Sequence, residues 1–399
     1  MTMTAPYLVS ELVYPALVIV VVGVIVSLWV TRCIVGSMLA ACIKSGLFLL
    51  NFSVFFTGQV TGVDDLYYLD TAAKFALAGV GFTDVFARRQ ELMDLSETAH
   101  ILYPLHNYYS TLVFGPYYFA PVAVNILLTF AIAAIGMRLA VTEFQLTRRQ
   151  GRIFYFFLLL YPEVLAWSTV FNGKETLILL CHVCVLTGVS QLFRGCVTRA
   201  VIILAPAIFA LSLLRYYLPL FLVAAFVFNS LFERRTKHRI KIVLLGLACG
   251  VGVFLQLFGG IEYGIRFVAD TLDNPFVGLV HFLYTPIPFN TQAEYTFLNL
   301  PSVYHWLAFP LFVTGFRVVY RMKTRFSGYL IWYFCTIVAF YSLFEGLQGA
   351  RHRFQLCFTF VAFEFIGGLF LLRHAGRIRV PAAMVQPSVL KPSRVGPTL

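Results

Sequence analysis

Charge is scarce in this chain. Only 12% of its 399 residues are Asp, Glu, Lys or Arg, 60% are hydrophobic, and mean hydropathy is +0.82. Soluble domains carry about 25% charged residues, so a soluble protein of this length is excluded. Acids are the scarcer sign, 18 Asp and Glu against 30 Lys and Arg, for a net charge of +12. No repeat of fixed period recurs, and no stretch reads as a soluble domain of useful size. A paired cysteine pattern is also missing. Eight Cys are scattered, and Cys181 and Cys184 form a C-x-x-C inside an apolar run without the second pair of a zinc site, so they read as buried thiols. No cleavable leader is apparent: basic residues follow the apolar segment 13–30, which reads as a retained anchor.

What the sequence has instead is one apolar run after another, each near the ~20 residues that a helical membrane crossing takes. Few alternate as barrel strands would, and a helix satisfies its own backbone in lipid. The fold class expected is all-α, a polytopic helical membrane protein with about eleven transmembrane helices and juxtamembrane helices on its outer face. The spans expected are 12–31, 34–56, 118–142, 153–171, 176–193, 199–214, 217–232, 241–259, 304–320, 326–346 and 355–373. Residues 1–380 form one transmembrane domain, and 381–399, rich in Pro and Ser, form a disordered cytoplasmic tail.

Basic residues cluster at alternate junctions: 148–152, 194–199, 233–241, 321–325 and the tail from Arg373. The positive-inside rule makes these cytoplasmic. Short basic loops beside lipid also account for the net charge without nucleic acid as a partner. Basic clusters flank 199–232 at both ends, so it reads as a hairpin turning on the far side at Leu214-Arg215-Tyr216-Tyr217, with Pro219 just after the turn. The outer face then carries loops 57–117 and 260–303 and short turns at 172–175, 214–217 and 347–354. An odd span count puts the N-terminus outside.

Four outer segments carry charge that needs an explanation. Val63-Asp64-Asp65-Leu66-Tyr67-Tyr68-Leu69-Asp70 sets two carboxylates at a membrane surface. They read as a helix cap in a solvated loop, or as a general base whose pKa burial raises. Asn172-Gly173-Lys174-Glu175 is a tight turn, with Glu175 suited to cap the next helix and Lys174 to snorkel or meet an anion. Before it, Tyr161-Pro162-Glu163 predicts a kink within a span. Arg215, at the hairpin tip, reads as snorkelling or anion-binding. Gly349-Ala350-Arg351-His352-Arg353-Phe354 places two Arg and a His where the positive-inside rule disfavours them, as a phosphate or diphosphate site would. His281-Phe282-Leu283-Tyr284-Thr285-Pro286-Ile287-Pro288-Phe289 reads as a proline-stiffened aromatic lid, or as helix packing.

The order of these features resembles the GT-C superfamily of membrane glycosyltransferases, of the protein mannosyltransferase or lipid A aminoarabinose transferase type. Asp64-Asp65, followed by Tyr67, Tyr68 and Asp70, is similar to that superfamily's acidic first outer loop. The stretch 161–175 looks like its proline-aromatic-acid segment, and Gly349-Ala350-Arg351-His352-Arg353-Phe354 like its late Arg-x-Arg entrance to a helix. The chain departs from that pattern in lacking a soluble outer domain, in an extra N-terminal span, and in having Gln355-Leu356-Cys357 where a proline is usual.

The resemblance implies a hexosyl- or pentosyltransferase in a bacterial cytoplasmic membrane, active on the extracytoplasmic side. A sugar passes from a polyprenyl-phosphate carrier to a hydroxyl on a glycan, lipid or protein, with inversion. Asp64 or Asp65 is the base; Arg351, Arg353, Arg215 and Lys174 hold the phosphate; Glu175, Tyr67, Tyr68, Asp70 and His352 support them. No metal ligand set is expected, although a divalent cation is compatible with the acidic cluster. The competing readings are a polysaccharide polymerase or ligase using a lipid-diphosphate oligosaccharide, a lipid-linked saccharide transporter or flippase, for which Lys44 is the main mid-membrane charge, and a membrane scaffold.

Overall fold

Backbone amides in hydrocarbon must bond within their own segment, and the chain answers with helices. A computed structural model describes residues 6–58, 63–81, 83–97, 100–215, 217–232, 272, 274–291, 293–344 and 349–376. These form α1 (Val9–Thr31), α2 (Ile34–Leu50, prolonged by a π turn Asn51–Phe55), α3 (Val63–Leu77), α4 (Asp84–Ala87), α5 (Arg89–Ser96) and α6 (Leu102–Phe114). Then come α7 (Phe119–Glu143), α8 (Arg148–Leu159), α9 (Pro162–Thr169), α10 (Glu175–Phe193), α11 (Val197–Leu214) and α12 (Leu218–Phe232). The last are α13 (Pro275–Tyr284), α14 (Asn299–Met322), α15 (Arg325–Ser342), a turn of helix α16 (Ala350–Arg353) and α17 (Cys357–His374). No strand occurs among the described residues.

Six helices are long and apolar enough to cross a membrane: α1, α2 with its π turn, α7, α10, α11 and the continuous run Ala350–His374. The chain is a helical membrane protein. The expected eleven spans are not all of this kind. α14 and α15 have the length but are not among the six, α12 is shorter, and 241–259 and the tail 381–399 lie outside the described residues. Span 153–171 is not one kinked helix but two, α8 and α9. Tyr161 is extended (ψ 131°) and Pro162 opens α9, because the proline ring disfavours helical backbone in the residue before it and supplies no amide proton. Of the turn expected at 214–217, the described flanks show α11 ending at Leu214 and the Leu218 amide donating to the Arg215 carbonyl (3.1 Å), with Pro219 second in α12.

Burial sorts the spans into centre and rim. The apolar windows of α7 and 350–374 are 72% and 78% buried, whereas those of α1 and α11 are 28% buried and present their outer faces to lipid. Polar ties cross the interior. Lys44 of α2, the mid-membrane charge, is fully buried and donates to Ser168 of α9 at 3.3 Å, so it ties two helices together. Glu364 is buried midway along α17 and accepts from Tyr161 Oη at 3.0 Å.

α14 and α17 touch backbone to backbone. A Cβ on Gly315 would stand 1.7 Å from the Phe363 carbonyl oxygen, and one on Gly367 would stand 2.1 Å from that of Leu311. A backbone obstacle cannot rotate away. Gly315→Ala is therefore expected to force the helices apart and lower stability by at least the ~1–3 kcal/mol of a typical overpacking change, read as a lower unfolding temperature in detergent. Gly368→Ala, whose Cβ meets nothing, is the control and should unfold as the parent does.

The bundle has two chemically distinct ends. At one, Arg138 lies over Trp29 (4.8 Å) and Arg194 pairs with Glu143 (3.4 Å). At the other, Tyr7 packs against Phe52, Phe56, Tyr117 and Phe119, so the chain's start shares that end with the start of α7. There α3–α6 form a small satellite layer with its own apolar core, in which Phe75, Val80, Leu92, Ile101 and Leu105 close on Leu213 of α11.

Candidate functional site

The turn between α9 and α10 is the hub of the second end. Asn172 is fully buried and makes three side-chain contacts: its amide nitrogen donates to Asn107 Oδ1 (2.8 Å), its carbonyl oxygen accepts from Tyr103 Oη (2.8 Å), and its backbone amide donates to Tyr118 Oη (3.4 Å). Tyr118 in turn donates to Asp65 Oδ2 at 2.6 Å. Burial first, then the Asp65 charge, raises the Tyr118 phenol far above its ordinary range, so it remains a proton donor. Asn125 of α7 closes the network on Tyr103 Oη (3.1 Å) and the Gly173 carbonyl (3.4 Å).

Glu175 extends the hub to the other side. It opens α10, where a carboxylate suits the helix dipole, and is 2% exposed. Its Oε1 accepts from Arg351 Nε (2.6 Å) and Arg215 Nη2 (3.1 Å). Arg215 is buried and also donates to Tyr217 (3.4 Å), so the hairpin-tip arginine points inward and does not snorkel. Lys174 is nearly buried and lies 5.8 Å from the centre of the Tyr68 ring. Gly173 leaves no room for a side chain, since a Cβ would fall 2.1 Å from the Phe171 ring and 2.3 Å from Glu175 Oε2.

Arg351 also borders a cavity of about 410 Å³, within the range that holds small ligands. Thr285, Asn290, Thr291, Tyr295 and His352 share its wall. Pro286, Ile287 and Leu298 add apolar wall, and Ile287 is exposed. The region read as an aromatic lid is therefore a helix, α13, followed by a segment that walls this cavity.

Arg353 has a different task from Arg351. It is 1% exposed; Nη2 pairs with Glu163 at 2.7 Å, and Nη1 donates to the carbonyls of Phe282 (3.4 Å), Leu283 (3.2 Å) and Thr285. These partners occupy both terminal nitrogens of the guanidinium, which fastens the end of α13 to α9; Arg353 is not part of the cavity wall. Asp70 is exposed on α3 and outside the cluster, Tyr68 packs edge-on against Tyr103 (4.8 Å) with Tyr67 beside it, and His352 leans on Tyr341 (5.0 Å). The Asp64 side chain lies outside the described residues.

No family model matches the chain, and neither a curated protein nor a solved structure matches it. The site's chemistry therefore rests on its geometry. Among the described residues, no group of three or more His, Cys, Asp or Glu stands ready to hold a metal ion.

Sequence reasoning misses the neutral half of this site. Tyr103, Asn107, Tyr118 and Asn125 carry no charge and belong to no motif. The available signal was Asn125 itself, an amide inside an apolar helix that must find a buried partner.

Proposed function

We infer that the protein is a membrane glycosyltransferase of GT-C type, moving a sugar from a polyprenyl-phosphate carrier to a hydroxyl acceptor at the end of the bundle remote from the basic clusters. The observation that carries this reading is Arg351. Its Nε is held by a buried carboxylate while the side chain borders a ligand-sized cavity with apolar side chains at its margin. A guanidinium positioned in this way suits a phosphate, and the apolar wall of Pro286, Ile287 and Leu298 suits the start of a lipid tail. Arg351 neutralises the leaving phosphate, with Arg215 and Lys174 adding positive field from behind. Asp65 or Asp64 takes the acceptor proton, and a single displacement inverts the anomeric carbon. With Arg353 committed to Glu163, the phosphate role falls on Arg351, Arg215 and Lys174.

The test is direct. Purified protein in detergent is given short-chain polyprenyl-phosphate sugars and an envelope fraction as acceptor, and the products are read by mass spectrometry. Free polyprenyl phosphate and acceptors carrying one added sugar are expected. A ladder of long products would favour a polymerase, and lipid-linked sugar crossing a vesicle with no transfer would favour a transporter. Arg351→Gln removes a charge-assisted bond while Glu175 keeps Arg215. kcat/KM for the donor should fall about 10–100-fold, the kinetic equivalent of such a bond. An unchanged value would remove Arg351 from the site.

A further inference from the structure

The opposite end of the bundle holds a second recess, about 770 Å³, between the end of α1, the end of α7 and the start of α8. Four arginines border it: Arg32, Arg138, Arg148 and Arg152. All four are exposed, and none makes an ion pair with a described carboxylate. The nearest acid in sequence, Glu143, is turned to Ser190 and Arg194. Four like charges around one recess repel each other unless an anion sits among them.

Other features of the recess select the kind of anion. Trp29 lies under Arg138 at 4.8 Å, and Val30, Met137 and Val141 add apolar wall. α8 begins at this recess; its Thr147–Gln150 capping box takes up the amides of Thr147 and Gln150, and the positive end of the helix dipole lies beside Arg148. The basic, amphipathic lining fits a phosphate that carries glycerol and acyl chains better than a free ion. An indole at the end of a membrane helix lies at headgroup depth.

We propose that this recess binds the headgroup of an anionic phospholipid, with the phosphate among Arg32, Arg138, Arg148 and Arg152 and the glycerol backbone against Trp29 and Met137. The site is separate from the cavity at Arg351 and does not depend on the reaction assigned there. Lipid seated here ties α1 to α7 and α8, across one edge of the bundle.

Full-length protein in detergent is titrated with phosphatidylglycerol, phosphatidylcholine or inorganic phosphate while thermal unfolding is followed. Phosphatidylglycerol should raise the unfolding temperature saturably, and the other two should not. Each basic residue near an anionic lipid contributes roughly fivefold in affinity, so the Arg32→Gln/Arg138→Gln/Arg148→Gln/Arg152→Gln protein should bind at least about tenfold more weakly. An Arg199→Gln/Arg321→Gln protein, altered at exposed basic residues away from the recess, should bind as the parent does. If the fourfold variant does not accumulate, Arg138→Gln and Arg152→Gln singly should each weaken binding about fivefold. Equal response to phosphatidylcholine or to phosphate alone, or equal loss in the Arg199/Arg321 control, would overturn the proposal.

Discussion

Asp65→Asn is expected to lower the proposed sugar transfer by about 10²–10⁴-fold, the usual contribution of a general base, while the protein folds and unfolds as before. The substitution keeps the shape of the side chain, and the amide oxygen can still accept from Tyr118, which now donates at 2.6 Å. A loss of turnover without loss of stability therefore separates chemistry from packing. Asp64→Asn made in parallel decides which neighbour is the base, the one whose replacement flattens the pH profile. Normal turnover in both single variants and in the double variant would eliminate the acid-base mechanism.

Arg353→Met should produce the largest stability loss of any single change discussed. Removing one partner of a buried ion pair typically costs 3–5 kcal/mol. Here the loss strands Glu163 and leaves three α13-end carbonyls without their guanidinium donor. Thermal unfolding in detergent should register it, and Glu163→Met/Arg353→Met should regain part of the loss, because the stranded charge is then gone. The fraction that does fold should bind donor within a few-fold of the parent, unlike Arg351→Gln. A stable Arg353→Met protein with abolished donor binding would return Arg353 to the phosphate site.

Arg351 and Arg353 also mark how far the sequence could be read. Both are basic residues on the wrong side of the positive-inside pattern, and together they look like one phosphate clamp. On a helix, residues two apart face away from one another. In α16 one reaches Glu175 and the cavity while the other reaches Glu163. The clustering of Asp65, Lys174, Glu175, Arg215 and Arg351 at one end was legible because loop charge orders the crossings before any contact is known. The break between α8 and α9 was only half legible. Pro162 announces a disturbance, but whether a helix bends or restarts depends on the neighbours that take up the freed backbone groups. The asparagine and tyrosine network could not be read at all, since its partners are brought together by packing and not by spacing.

The interruption between α8 and α9 also bears on how the chain is assembled. Helices of twelve and eight residues rise about 18 Å and 12 Å, and neither alone reaches across a ~30 Å hydrocarbon layer. Neither half can therefore be handed to lipid as an independent unit during synthesis. Both lean on α7, which packs against each of them, and α10 covers α9. The turn that carries Asn172 and Glu175 therefore depends for its position on α7 and α10, which flank α9.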